Sequence, residues 1–179
     1  MASGVSTRLT YEDYLELPND GKRYEILDGE LFVNPAPVPL HQIIVRQLLR
    51  AIQDYFDAHG GGEAIASPID VVLAHDTVVQ PDLVAVTASR LSIIGPKNVQ
   101  GAPDLVIEVL SERTRQFDEN TKRKLYEQSG VLEYWIVDPD RAQVKIHRGS
   151  EVFVIDQDGT IATPLFPELV LDLRNIFPE

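Results

Sequence analysis

Two carboxylates interrupt apolar segments of the sequence at matched positions. Asp82 lies within VVQPDLVAV, and Glu108 lies within PDLVIEVLS. Apolar runs of this kind predict buried strands, where an ionised side chain without a partner is costly. A divalent cation would compensate both charges, and carboxylate oxygens are the ligands that Mg²⁺ and Mn²⁺ prefer. The pair therefore indicates metal-dependent hydrolysis, with a phosphodiester as the expected substrate.

A lysine-bearing helix is predicted directly after the second carboxylate. Within FDENTKRKLYEQS, residues 117–129, four-residue spacing places Asp118, Lys122 and Tyr126 on one helical face. A lysine beside a metal can orient the attacking water or hold a phosphate oxygen. In the alternative interpretation, Asp118 and Lys122 form an ordinary surface pair, and each strand carboxylate caps a strand edge or pairs with an arginine. The combination favours Asp82 and Glu108 as metal ligands and Lys122 as a catalytic residue.

Three further polar residues are weaker candidates. Glu25, in RYEILDGEL, is a third possible ligand or a helper of the metal's water, although a solvent-facing strand position fits it equally. His41 begins a long predicted helix and is a candidate contact for a phosphate or a metal-bound water. Asp70, in SPIDVVL, is a candidate for the surroundings of the site only.

Local patterns predict the elements that must position these side chains. Thr10 and Asp13 form the pattern of a capping box before a short helix, and the Asp28–Gly29 pair predicts the turn of a hairpin. Apolar residues at helical spacing predict a second helix over residues 41–58. EAIASPIDVVL and TVVQPDLVAV are interpreted as two strands, APDLVIEVLS as a third, and LEYWIVDPD, beyond the 117–129 helix, as a fourth.

The order of these elements predicts an α/β fold with a mixed β-sheet flanked by helices. A strand–helix–strand crossover should place the third and fourth strands side by side and parallel. Alternation puts Asp82 on one face with Val84, and Glu108 on one face with Val106. Two such carboxylates on adjacent strands can approach one cation. QVKIHR and EVFVID predict an extra hairpin.

Composition limits the class of protein. The chain has 179 residues, is 44% hydrophobic and contains no cysteine, which fits one domain over residues 1–179 without disulfides. No apolar run is long enough to span a membrane, and the first residues lack a secretory pattern, so a cytoplasmic location is expected. The net charge of −12 argues against a general nucleic-acid coat protein. Residues 112–148, however, hold eight basic and seven acidic residues, so this region could meet a polyanion.

The motifs together resemble the Uma-two family of bacterial, restriction endonuclease-like nucleases with the PD-(D/E)XK fold. The resemblance rests on LTYEDYLELP, RYEILDGEL, PAPVPLHQ, VVQPDLVAV, GAPDLVIEVLSERTR and FDENTKRKLYEQSGVLEYWIVDP, and it extends to LFPELVLDL near the end. It implies a restriction endonuclease-like core with extra β-hairpins. No nucleotide-binding, zinc-protease or serine-hydrolase motif competes with it.

The resemblance also implies roles for individual residues. Asp82 corresponds to the aspartate of the PD element and Glu108 to the acidic residue of (D/E)XK. Leu110 stands where that motif has its lysine, and Lys122 on the following helix is its implied replacement. Glu25 and His41 match further motif positions.

The expected function is that of an Mg²⁺-dependent or Mn²⁺-dependent endonuclease acting on DNA. A homodimer is expected from the family and because two sites are needed to cut both strands of a duplex. Two alternatives remain open at this stage. One is a non-catalytic binding or regulatory module that keeps the fold, and the other is a small-molecule phosphodiesterase that uses the same carboxylates.

Overall fold

The computed structural model describes residues 8–178 of the chain. The helices are α1 (Tyr11–Leu15), α2 (Pro39–Ala58) and α3 (Arg123–Ser129), with a π-helical segment (Phe117–Lys122) directly before α3 and 3₁₀ helices at Ala88–Ile93 and Leu173–Asn175. The strands are β1 (Arg23–Leu27), β2 (Glu30–Asn34), β3 (Gly62–Ala66), β4 (Val71–Ala74), β5 (Thr77–Val79), β6 (Leu83–Thr87), β7 (Val99–Gln100), β8 (Leu105–Val109), β9 (Glu133–Asp138), β10 (Gln143–Arg148), β11 (Glu151–Asp156), β12 (Thr160–Thr163) and β13 (Phe166–Asp172).

The strands of the described residues form two large sheets and one small one. The six-stranded sheet has the order β11-β10-β9-β8-β6-β3, and the five-stranded sheet has the order β2-β1-β5-β4-β7. In the six-stranded sheet β8 and β9 are parallel, whereas β6 and β8 are antiparallel. Strands β12 and β13 pair with each other. The architecture is therefore α/β with mixed sheets flanked by helices, as the sequence predicts.

The two faces of the six-stranded sheet bury different sets of side chains. One face, including Leu83 and Ile107, packs in the core that contains the apolar side of α2. The opposite face, including Val84 and Val106, packs with Leu125 of α3 and with side chains of the five-stranded sheet. Because side chains alternate along a strand, position 108 of β8 and position 82 just before β6 belong to this second face.

Most of the predicted elements are confirmed. The Thr10–Asp13 capping box begins α1, and β1 and β2 form the predicted hairpin. The second helix begins at Pro39, two residues before the predicted start, and ends at Ala58 as predicted. The helix predicted over residues 117–129 is present, but its first half is π-helical. The predicted parallel crossover is the β8–β9 pair.

The interpretation of EAIASPIDVVL and TVVQPDLVAV as two continuous strands is wrong. Each segment divides into two strands that belong to different sheets: β3 and β4 in the first, β5 and β6 in the second. Pro68 and Pro81 lie at the two breaks. Proline has no N–H to donate to a strand ladder, so the chain leaves one sheet there and enters the other. This break places Asp82 at the junction between the sheets.

Within residues 8–178, no helix has the length and apolar character needed to cross a bilayer.

Candidate active site

Asp82 and Glu108 are neighbours across two strands of the six-stranded sheet. Antiparallel pairing aligns Leu83 of β6 with Ile107 of β8, and the same register brings Asp82 opposite Glu108. The backbone N–H of Val109 donates to Asp82 Oδ2 over 2.9 Å, which fixes the aspartate against β8. The structure therefore brings the two predicted metal ligands together on one face of the sheet.

Two basic side chains surround the Asp82 carboxylate. Arg23 Nη1 of β1 lies 3.3 Å from Asp82 Oδ1, and His41 Nε2 of α2 lies 3.1 Å from Asp82 Oδ2. Burial by itself would raise the pKa of Asp82, but His41, Arg23 and the Val109 N–H together lower it. Asp82 is therefore an anion at neutral pH. No local pattern in the sequence indicates that Arg23, two residues before Glu25, is the partner of Asp82.

His41 makes a close but poorly aligned contact with Asp82. Its Nε2 atom is buried and, among the described residues, has no partner in hydrogen-bonding geometry. A buried polar atom without a partner is uncommon in folded proteins and calls for an explanation. His41 also lines the cavity described below, so its ring lies beside the space for a bound water or a phosphate oxygen.

Lys122 joins Glu108 to Glu25. Its Nζ lies 2.9 Å from Glu108 Oε1 and 3.0 Å from Glu25 Oε1, and the Lys122 side chain is only 3% exposed. Tyr126 donates its hydroxyl to the same Glu108 oxygen over 2.9 Å. The predicted helical face of Asp118, Lys122 and Tyr126 is thus directed at Glu108, and Asp118 Oδ1 lies 3.8 Å from the Lys122 ammonium. The first half of this helix is π-helical, a form often found at functional sites.

Both carboxylate oxygens of Glu25 are occupied by hydrogen-bond donors. Oε1 accepts from Lys122 and, over 2.7 Å, from the backbone N–H of Gln80, while Oε2 accepts from the Asn34 amide. Glu25 is fully buried and does not line the cavity, although it stands close to the predicted ligands. Its contacts suit a residue that holds Lys122 rather than one that takes a free ligand position.

A cavity of about 810 Å³ opens onto this group of side chains. Four candidate residues line it, namely His41, Asp82, Glu108 and Asp118, and Arg23 and Asn34 contribute to its wall. Lys122, Glu25 and Tyr126 lie behind the wall. Asp70 does not line the cavity; it accepts from the Tyr14 hydroxyl and from the side-chain amide of Gln80, the residue whose backbone N–H donates to Glu25. Such a volume accommodates a small ligand or a piece of a larger one.

The family of the chain follows from its sequence. The family model described as "Uma2: Putative restriction endonuclease" matches residues 11–174. The chain belongs to the Uma2 family. A comparison with curated proteins found no match.

The fold of this Uma2 chain is similar to that of a solved structure. A crystal structure described as that of a putative nuclease belonging to DUF820, from Anabaena variabilis ATCC 29413, matches with a TM-score of 0.81. The sequences are 23% identical over 94% of this chain and 97% of the other. The comparison shows that the two chains share a fold, and together with the Uma2 family match it confirms the predicted restriction endonuclease-like fold class. Membership of the family supports a nuclease-like function.

The acidic groups of the Uma2 chain outnumber the cations beside them. Glu25, Glu108 and Asp118 all lie within 4.0 Å of Lys122, and no second cation contacts them within the described part of the chain. Burial raises the pKa of Glu108 well above its ordinary value, and Lys122 only partly opposes this. Burial likewise raises the pKa of Asp118 to about 6. Excess negative charge at the cavity is the electrostatic condition that a bound cation relieves.

The donor set fits a hard divalent cation that keeps part of its water shell. Among the described residues, no three His, Asp or Glu side chains form a ready-made metal cluster. Mg²⁺ does not require one, because it is commonly held by one or two carboxylates together with waters and substrate phosphates. Asp82 and Glu108 both line the cavity, and the hydrogen bonds of the Glu108 side chain go to Oε1 alone, leaving Oε2 for a ligand.

The ionisation of Asp118 predicts how stability changes with pH. Its pKa is raised from 3.8 to about 6 in the folded protein, mainly by burial. Between these values the folded state binds more protons than the unfolded state, so the free energy of unfolding should fall as pH rises from about 4 to about 6.5. Asp118→Asn should remove up to about 3 kcal/mol of that fall. Urea unfolding in EDTA across this pH range measures it.

The matched control for Asp118→Asn is Asp54→Asn, the same change at an exposed carboxylate of α2. It should leave the pH dependence of the wild-type protein intact. Parallel curves for Asp118→Asn and wild type would contradict the raised pKa of Asp118.

Proposed function

We propose that this Uma2 chain is a divalent metal-dependent endonuclease that hydrolyses DNA phosphodiester bonds. The observation that carries the proposal is the pairing of Asp82 with Glu108 on adjacent strands, at the wall of an open cavity with excess negative charge. A purely structural role would not need the two acids to face the same cavity. The nuclease-like family and fold support the same conclusion.

In this proposal Asp82 and Glu108 hold Mg²⁺ or Mn²⁺. When bound, the cation supplies an activated water and neutralises the charge that grows on the phosphate. Arg23 and the Val109 N–H fix the orientation of Asp82, so that its carboxylate is preorganised. His41 lines the cavity with its Nε2 3.1 Å from Asp82 Oδ2, and a small rotation of its ring would let this nitrogen hold a phosphate oxygen or a water.

Lys122 acts in the proposal mainly through Glu108. Burial alone would lower the pKa of Lys122, but Glu108, Glu25 and Asp118 raise it, so the ammonium stays charged. A charged ammonium 2.9 Å from Glu108 Oε1 favours the ionised carboxylate, the form that binds a metal. Glu25 positions the ammonium from the other side. The sequence alone favours a direct contact of Lys122 with the attacking water or a phosphate oxygen. Lys122 does not line the cavity, so for such a contact its ammonium would have to move past Glu108.

The test is incubation with supercoiled plasmid in Mg²⁺, in Mn²⁺ and in EDTA. Wild-type protein should nick or linearise the plasmid with either metal and lose this activity in EDTA. Glu108→Gln keeps the size of the side chain and removes its charge. The variant, purified in the same way as the wild-type protein, should therefore show no cleavage. Cleavage that persists at full rate in Glu108→Gln would overturn the proposal.

The same assay separates the other two functions considered. Plasmid binding in a gel-shift assay with no cleavage in either metal would identify a binding module. Hydrolysis of nucleotide phosphodiesters tested in parallel, with intact plasmid, would identify a small-molecule phosphodiesterase.

We also propose a homodimer formed through the edge strand β11. This strand pairs only with β10 among the described residues, and its Val152, Phe153 and Val154 side chains are 53%, 40% and 55% exposed. An apolar strand at a sheet edge offers free N–H and C=O groups to a second copy. Val154→Lys is therefore expected to convert a dimer into a monomer in sedimentation velocity runs at micromolar concentration.

The control for this change is Leu132→Lys, at an equally exposed apolar residue outside β11. It should remain dimeric. A wild-type protein that sediments only as a monomer would rule out this interface.

A further inference from the structure

A second cavity adjoins the active-site cavity and has the opposite charge. It has a volume of about 770 Å³, and its wall shares Arg23, Asn34, residues 35–37, Arg113 and Thr114 with the first cavity. Its charged wall residues are Lys22, Arg23 and Arg113, and no acidic residue lines it. We call this second cavity the basic pocket. In a chain of net charge −12, a wall with cations alone is a marked local reversal.

Arg113 is the cation best placed to serve a ligand. It is exposed, lines both cavities and forms no ion pair with residues 8–178. Lys22 has a partner, because its Nζ lies 2.7 Å from Asp20, and Arg23 is engaged by Asp82. An arginine without a carboxylate partner, at the border of a cavity lined by acids, has the geometry and charge to bind a phosphate.

The apolar part of the basic pocket is aromatic. Phe32 of β2 and Phe117 of the π-helical segment line it, with ring centroids 4.6 Å apart and both side chains only half-buried. Residues 35–37, Pro-Ala-Pro, form a stiff wall between the two cavities. A phosphate-binding cation beside partly exposed aromatic side chains is the combination that binds single-stranded nucleic acid, in which bases are free to stack on side chains.

We infer that the basic pocket binds one unpaired nucleotide next to the phosphodiester that is cleaved. Arg113 holds the phosphate of this nucleotide, and the base of the nucleotide packs against Phe32 and Phe117. The inference rests on the proposed function for the identity of the neighbouring cavity, and it adds a substrate preference. A base inside a duplex is stacked between its neighbours and cannot enter such a pocket. The favoured substrate is therefore DNA that is single-stranded or frayed beside the cut.

The phosphate contact is tested by measuring, from fluorescence anisotropy, the binding of a labelled oligodeoxythymidine of about 12 nucleotides. The measurement is made in Ca²⁺, which takes oxygen ligands as Mg²⁺ does. Arg113→Gln should weaken binding of the oligomer about tenfold. It should also make the plot of log association constant against log salt concentration less steep by about 0.7, which is the contribution of one phosphate contact on a single strand. Arg50→Gln removes the same charge from an exposed site on α2 and should bind as wild type does. Equal affinities for Arg113→Gln and Arg50→Gln would overturn the assignment.

A second comparison tests the base contact. Phe117→Leu keeps an apolar side chain, and its fold is checked by thermal unfolding. It should weaken binding of the oligodeoxythymidine about 5-fold to 150-fold, as expected for the loss of one stacked base. Binding of an abasic oligomer with the same number of phosphates should not change. If the wild-type protein bound the oligodeoxythymidine and the abasic oligomer with equal affinity, the proposed contact with the base would be wrong.

The outcomes separate this inference from the proposed function. If plasmid is cleaved but Arg113→Gln changes neither Kd nor KM, only the basic pocket is wrongly assigned. If oligomer binding depends on Arg113 and Phe117 but no DNA is cleaved, the pocket is correct and the nuclease function fails.

Discussion

Replacing Asp82 with asparagine is expected to lower the rate of plasmid cleavage in Mg²⁺ about 10³-fold, the scale on which loss of metal-based charge stabilisation acts. Asparagine has nearly the same shape and can still accept the Val109 N–H through its amide oxygen. What it loses is the negative charge that Arg23 and His41 surround and that a cation requires. Both kcat and the affinity for Mn²⁺ should decrease. Plasmid cleavage measures the first, and titration calorimetry measures the second.

The comparison variant for Asp82→Asn is again Asp54→Asn, which changes an exposed carboxylate on the same helix that carries His41. It should cleave and bind Mn²⁺ at the wild-type level. Thermal unfolding of both variants distinguishes a lost ligand from a lost fold. If folded Asp82→Asn retained full cleavage and full Mn²⁺ affinity, Asp82 would not be a metal ligand.

Local sequence patterns were sufficient to predict the strand face of each acid, but not which two strands would pair. Alternation in each apolar run assigns Asp82 and Glu108 to particular faces, and a strand–helix–strand order predicts the β8–β9 crossover. The structure adds the antiparallel β6–β8 register that sets them opposite each other. The four-residue spacing also predicts that Lys122 and Tyr126 point the same way, which their common contact with Glu108 Oε1 bears out.

Those local patterns could not predict contacts between segments that are distant in the sequence. Glu25 and Lys122 are 97 residues apart, and nothing in the periodicity of either segment indicates that they meet. The approach depends on the two sheets, and these form only because the runs around Pro68 and Pro81 divide, where the pattern suggested continuous strands. The pairing of Arg23 with Asp82 and the meeting of Phe32 with Phe117 have the same origin. Periodicity reports which face a side chain occupies, whereas its partner depends on tertiary packing.

The sharpest consequence of this packing concerns the stability of the protein. Lys122→Met keeps most of the side-chain volume but leaves Glu25 and Glu108 buried without their counter-charge. Breaking a buried ion pair from one side costs about 3–5 kcal/mol of unfolding free energy, because an uncompensated charge remains. Urea unfolding at neutral pH should show a loss of this size. Lys124→Met, at an exposed position of the same helix, should change stability by less than about 0.5 kcal/mol.

A double variant shows whether the lost stability comes from the stranded carboxylates. Glu108→Gln combined with Lys122→Met removes one anion together with the ammonium, so its loss should be smaller than the sum of the two single losses. An additive result would mean that Lys122 contributes through packing alone. Strong coupling together with inactive single variants would fit a lysine that keeps Glu108 ionised for a metal, since the same contact would then set both stability and cleavage.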